Sequence, residues 1–229
     1  MSGAPDAAVR TLSEQAFEVV RERIVSGVIA EDAPVRQDAL AAELGVSKIP
    51  LREALARLEQ EGLLIGRPNR GYVVRPMSAD QAEEIYALRL AIEPAAAGRA
   101  CAEAGEAERT AVRTAFERLD AAAADDLARV AVMNRDFHTA LVRSAGRPLT
   151  AQLVERLSIL SERYVVAHLK PAGREARAHG EHRDLLEAWL DGRAEAVETQ
   201  LAGHIQGTLD DLRAQFGAAT RGAESFLPG

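Results

Sequence analysis

The residues whose types and spacing best suit chemistry are Asn134, His138, His182 and His204. In Asn134-Arg135-Asp136-Phe137-His138 an amide and an imidazole stand four residues apart, which puts both on one face of a helix. His182 follows in Gly180-Glu181-His182-Arg183-Asp184, and His204 in Leu201-Ala202-Gly203-His204-Ile205. Helical bundles build metal sites from side chains on facing helices. Three imidazoles and one amide oxygen suit a borderline divalent ion, with positions left for water or a ligand. Helical histidines serve equally as surface or core residues, and spacing does not choose between these readings. His179, one helical turn before His182, is an alternative ligand, and His168 reads as a solvated helix end.

An open three-histidine site also activates water in metal-dependent enzymes, with Asp136 or Glu181 available as a base. Asp136, however, lies two positions from His138 and so points to a different helix face. The chain shows no nucleophile or oxyanion-hole pattern beside these histidines, so the expectation is not an enzyme. A third reading is a metal-free sensor whose histidines hold a ligand directly.

The elements that must position these residues follow from helical periodicity. After Arg75-Pro76-Met77-Ser78, Pro76 resists extending a strand and Ser78 can cap a helix over Gln81. Helical segments are expected at about 79–103, 106–123, 125–145, 148–169, 174–191 and 193–217. They are broken by Gly105, Asp125, Gly146-Arg147-Pro148, Pro171-Ala172-Gly173 and Gly192. Six or seven helices with short connections predict an antiparallel bundle over 77–217, with 218–229 as a tail. Tyr164 and Trp189 read as core or interface aromatics.

The segment before Pro76 reads differently. Leu12, Ala16, Val19, Val20, Ile24 and Val25 recur at helical spacing from about Thr11, after a loose tail over 1–10. Leu40, Ala41 and Leu44 mark a second helix that Gly45 ends, and Ser47 can cap a third along Leu51, Leu55 and Leu58. Two short helices joined by a tight turn, with Ser47, Lys48 and Arg52 on the polar side of the second, form a helix-turn-helix pattern. A plain helical hairpin is the alternative. Leu63-Leu64-Ile65 and Tyr72-Val73-Val74 then flank Arg67-Pro68-Asn69-Arg70-Gly71, two short strands around a basic tip. Such a wing gives Arg67, Arg70 and Gly71 a role at phosphates or the minor groove.

The fold class is therefore mainly α: a winged helix-turn-helix over 11–76 followed by a helical bundle. Net charge is −7, and 47% hydrophobic residues can bury a sizeable core. Within 47–75 six Lys and Arg face three Glu, so a locally basic surface sits in an acidic chain. That balance suits specific DNA contact and argues against indiscriminate coating. Cys101 is the single cysteine, which excludes a disulfide within the chain and a Cys-rich zinc module. The start has no signal-peptide pattern and no run of about 18 apolar residues occurs, so a cytoplasmic protein is expected.

Ser26-Gly27-Val28-Ile29, Val35-Arg36-Gln37, Gly45 through Leu55, Glu61-Gly62-Leu63 and Pro68-Asn69-Arg70-Gly71 together resemble the N-terminal domain of GntR-family transcription regulators. The resemblance implies operator contacts from Arg36, Ser47, Lys48, Arg52 and Gly71. Lys48-Ile49 replaces the more usual Arg-Thr pair, and lysine brings a point charge in place of a bidentate fork. Asp32-Ala33 stands where a Pro-Gly pair is usual.

Residues 79–215 resemble the all-helical FCD ligand-binding domain of the FadR-type branch, including its six-helix VanR-like subgroup. The matching stretches are Leu88 to Pro94, Asn134 to His138, Glu181-His182 and Leu201 to His204. The resemblance implies a divalent metal, zinc or nickel, on Asn134, His138, His182 and His204, with Asn134 where many members carry Asp. It also implies a small carboxylate effector. Arg89 is the first candidate to meet it, with Arg135 and Arg163 as further candidates, and the alternative for Arg89 is an ion pair with Glu93 four residues on. The implied function is a homodimeric regulator, a repressor, on a pseudo-palindromic DNA operator.

Overall fold

In the computed structural model, residues 11–224 are described except 69 and 123–125, and for 219–224 the backbone alone. The expectations for 1–10, Asn69 and Asp125 lie outside these residues. The chain divides into two compact units, 1–76 and 77–229.

In the first unit α1 (Leu12–Val25) begins at Thr11, whose side chain accepts from Glu14 N–H while Glu14 reaches back to the Thr11 N–H. This reciprocal capping box satisfies two amides that a helix start otherwise leaves open. α2 (Gln37–Leu44) ends on Gly45 at φ 65°, a left-handed conformation that glycine adopts without Cβ strain. α3 (Lys48–Gln60) starts after the extended Ser47, which makes no side-chain cap bond. Leu51, Ala54, Leu55 and Leu58 of α3 are fully buried with Val20 and Ile24 of α1, and that shared core fixes how α3 is rotated. β1 (Leu64–Arg67) and β2 (Gly71–Val74) pair antiparallel, and Pro34 bridges to Val73. The Glu59 carboxylate accepts the Gly66 N–H at 2.8 Å, tying the hairpin to the end of α3.

The second unit contains, among the described residues, six helices: α4 (Ala79–Glu103), α5 (Glu106–Ala122), α6 (Leu127–Arg143), α7 (Pro148–Leu169), α8 (Arg174–Leu190) and α9 (Ala194–Glu224). α4 begins with Ser78 accepting from Gln81 N–H, and α6 with Asp126 accepting from Arg129 N–H. Pro148 opens α7, where its missing N–H costs nothing. α4 packs against α9, α7 and α6, which makes it the central helix, and α5 and α8 close the remaining side. Trp189 is fully buried and donates its indole N–H to the Leu141 carbonyl at 3.0 Å. α9 continues to Glu224, past the expected end at 217, so the segment 218–224 is helical where a tail was expected. No described helix is long and apolar enough to cross a membrane.

Candidate functional site

α6 carries Asn134 and His138 one turn apart, both buried, because Val130, Phe137 and Leu141 on the same side of the helix turn that face into the bundle. α8 brings the buried His182 and α9 brings His204. One ring nitrogen from each of His138, His182 and His204 lies within 4.8 Å of the other two. His182 Nε2 and His204 Nε2 are 3.2 Å apart. Two nitrogens each about 2.05 Å from a tetrahedral zinc ion stand about 3.3 Å apart, so this spacing fits a shared ion.

The far sides of two of these rings are held by carboxylates. Burial alone would raise the Glu93 carboxyl, but the Arg89 charge and the His138 hydrogen bond outweigh it and hold it at about 2. Glu93 is therefore an acceptor only, and His138 Nδ1–H donates to its Oε2 at 3.1 Å. Arg89 Nη2, 3.3 Å from the same Nδ1, is then a neighbour and not a bonding partner. His204 Nδ1 makes the equivalent bond to Glu181 Oε2 at 2.7 Å. Carboxylates on the outer nitrogen fix the tautomer that offers Nε2 as a lone pair, the arrangement found behind metal-bound histidines. His138 Nε2 is buried and has no hydrogen-bond partner. Burial pushes the His138 imidazole down to about 4 and His182 well below its usual range, so both are neutral at physiological pH, as metal binding requires.

A cavity of about 40 Å³, counted as room for the centres of water molecules, opens beside the His182 and His204 rings. That holds an ion and a few waters or a small ligand. Leu119, Val130, Val165 and Ile205 form part of an apolar wall, and Tyr86, Arg89, Asn134, His168 and Thr208 also reach it. The Tyr86 hydroxyl is fully buried, beside Arg89, and makes no hydrogen bond of bonding geometry; burial pushes it up to about 12, so it stays a neutral donor. Arg89 lines the cavity while its Nε and Nη2 grip both oxygens of Glu93, at 2.6 and 3.2 Å, and its Nη1 donates to Ser161 at 3.2 Å.

The structure does not bring Arg135 or Arg163 into this wall. Arg135 turns to Glu162 at 3.1 Å and to Asp136, and Arg163 is buried elsewhere on α7. His168 is corrected: it is buried rather than a solvated helix end, and it faces the cavity with Asp211 3.4 Å from its Nδ1. His179 reaches the wall but pairs with Asp120 and Arg183, outside the converging trio. The anchoring role of Glu93 and the presence of Tyr86 had no signature in the spacing beyond the i, i+4 relation of Arg89 and Glu93.

In the first unit Arg36, Lys48, Arg52, Arg67, Arg70 and Gly71 line one open groove between α2, α3 and the hairpin. Ser47 is exposed at the start of α3 without forming part of the groove wall. Gln37, which sequence reasoning passed over, also lines it, and a Cβ on Gly71 would stand 3.0 Å from its Nε2. Gly71 has φ +75°, so both conformation and space favour glycine there. Lys48 Nζ lies 2.8 Å from the exposed Asp38.

Residues 12–74 match the family of bacterial regulatory proteins described as the gntR family, and residues 84–207 match the FCD domain. The chain is 32% identical over 227 residues to the HTH-type transcriptional regulator BphR of Paraburkholderia xenovorans, covering 94% of this chain and 91% of that one. The chain belongs to the gntR family. It is 31% identical to the probable D-xylose utilization operon transcriptional repressor of Paenarthrobacter nicotinovorans, covering 87% of this chain and 88% of the relative. The fold is shared with E. coli McbR/YncC, at TM-score 0.73 and 23% identity, over 91% of this chain and all (100%) of that one. As a member of the gntR family the chain is a DNA-binding transcription regulator and not an enzyme.

Proposed function

We propose that this regulator is a cytoplasmic homodimeric repressor that holds a divalent metal, zinc or nickel, on Asn134, His138, His182 and His204. It leaves a pseudo-palindromic operator when a small carboxylate enters the α4–α9 cavity. The observation that carries the reading is the convergence of three buried or half-buried imidazoles, two of them held from behind by Glu93 and Glu181. A divalent ion there supplies positive charge and open coordination positions for carboxylate oxygens. Arg89 already spends two of its donor nitrogens on Glu93. Its charge is largely compensated, so the chain alone attracts an anion weakly. Tyr86 offers a neutral hydroxyl to a ligand oxygen, and the apolar wall excludes water from the remainder.

At the other end, the groove of Arg36, Lys48, Arg52, Arg67, Arg70 and Gly71, with Ser47 beside it, receives DNA. α3 presents its first turn to base edges and the hairpin arginines meet phosphates. One small reading head makes few base contacts, and two-fold symmetry doubles them. A ligand shifts operator affinity only through its unequal affinity for the DNA-competent and incompetent states, commonly about 1–3 kcal/mol.

The test is a thermal-shift screen of small carboxylates on metal-loaded and chelated protein, followed by gel-shift titration with duplex DNA enriched from a random pool. The expected result is a carboxylate that raises Tm in the metal-loaded protein alone and weakens DNA binding about 5- to 150-fold. Equal shifts after chelation would replace this reading with the metal-free sensor. A carboxylate that leaves DNA affinity unchanged would remove effector control.

A further inference from the structure

Among the exposed residues of α3 all but one are charged or polar. Lys48, Arg52 and Glu53 are exposed along it, and Ile49 lies among them with 72% of its surface exposed. A single exposed apolar side chain carries no meaning by itself. Here its position does. Ile49 is in the first turn of α3, one residue after Lys48 and three before Arg52, so it shares the face of Arg52. Both flanking cations line the groove assigned to DNA. A β-branched residue is a poor choice for an exposed helix start on propensity grounds, and it adds nothing to the core formed by Leu51, Ala54, Leu55 and Leu58.

We infer that Ile49 is a specificity-determining residue that packs on the 5-methyl group of a thymine in each operator half-site. In the major groove thymine is the base that presents a methyl group, and apolar side chains read it by contact. The first-turn residues of a recognition helix are the ones that reach base edges. Ile49 has no donor or acceptor in its side chain, so it contributes to sequence choice by burying apolar surface, while Lys48 and Arg52 supply the polar contacts. Exposed in the free protein, it loses that cost when the methyl covers it.

The experiment uses the full chain and duplex DNA enriched by it from a random pool. Each thymine of the enriched duplex is replaced in turn by deoxyuridine, which removes the methyl group and keeps every hydrogen-bonding edge. For wild type, one thymine per half-site should cost about fourfold in affinity when replaced, the scale of one buried methyl-sized group. Ile49→Ala loses the contact in both half-sites, so it should bind the unmodified duplex about 16-fold more weakly and be indifferent to deoxyuridine at that position, while a mismatch opposite Arg52 still costs it affinity. Uniform tolerance of deoxyuridine by wild type, or sensitivity retained in Ile49→Ala, overturns the assignment. Failure to enrich any sequence would instead overturn the placement of α3 on DNA.

Discussion

Glu93 of α4 lies 3.1 Å from Nδ1 of His138 on α6 while both its oxygens also bind Arg89. One buried carboxylate thus neutralises a buried guanidinium and orients an imidazole whose other nitrogen is buried without a partner beside His182 and His204. The two duties separate by mutation. Glu93→Gln leaves the Arg89 charge buried without its partner, a change that costs about 3–5 kcal/mol in comparable settings. It also lowers metal affinity about 10- to 100-fold, because a neutral amide oxygen accepts the His138 Nδ1–H bond less strongly than a carboxylate and raises the ring's basicity less. The double variant Arg89→Met with Glu93→Gln should recover stability in urea melts without recovering metal affinity in a competition titration. Recovery of both would assign Glu93 to charge balance alone.

His168 gives the metal-free protein an acid-sensitive element outside the four ligand positions. Burial pushes it down to about 4, against the favourable Asp211 of α9, while His204 and the α8 residues Arg174 and Arg177 press the same way as burial. The unfolded chain protonates near 6.5, so between about 6.5 and 4 the unfolded state binds more protons than the folded one. The stability that neutral His168 supports is present in full above about 6.5 and is lost as pH falls toward 4. Tm of chelated protein should therefore fall from pH 7.5 to pH 5. His168→Asn should flatten the profile without abolishing it, since His138 has the same sign. An unchanged slope in that variant would show that His168 is not desolvated in solution.

Arg52 is exposed on α3 and plays no part in the core of the first unit, so Arg52→Ala should keep the wild-type Tm. Affinity for an enriched duplex should fall by about 1–3 kcal/mol with relaxed choice at one position per half-site. Lys48→Ala should weaken binding to all sequences and reduce the salt dependence. Asp38→Asn frees Lys48 from its 2.8 Å ion pair and removes a charge that repels phosphate, so binding should tighten at low salt. Fluorescence anisotropy at two salt concentrations distinguishes these outcomes. Equal losses on every sequence for Arg52→Ala would remove it from base reading.

Much of the fold was legible because its signals are local. Ser78, Gly105, Gly146-Arg147-Pro148 and Gly173 punctuate the second unit, and the helices at 79–103 and 148–169 have the bounds their periodicity predicts. Gly45 and Gly71 take the left-handed conformations that the turn and the wing require. The end of α9 was not legible, since Ala218 to Glu224 carries no apolar stripe and a helix there continues from α9 without a stop signal. At the cavity, i and i+4 spacing put Asn134 and His138 on one face. Which arginine shares that cavity depends on how α6 and α7 are rotated in the packed bundle. Arg135 is one residue from Asn134 and therefore about 100° around α6, which turns it to Glu162. His168 sits near a helix end, and only the packing of α7, α8 and α9 shows that this end is buried.

The most direct measurement of the central claim is the metal content of the full chain purified without chelator. Elemental analysis should find about one divalent ion per chain in the wild type, sharply reduced in His182→Ala and in His138→Ala at retained helical content. Wild-type protein that stays metal-free when zinc and nickel are supplied, or alanine variants that keep their ion, would contradict it.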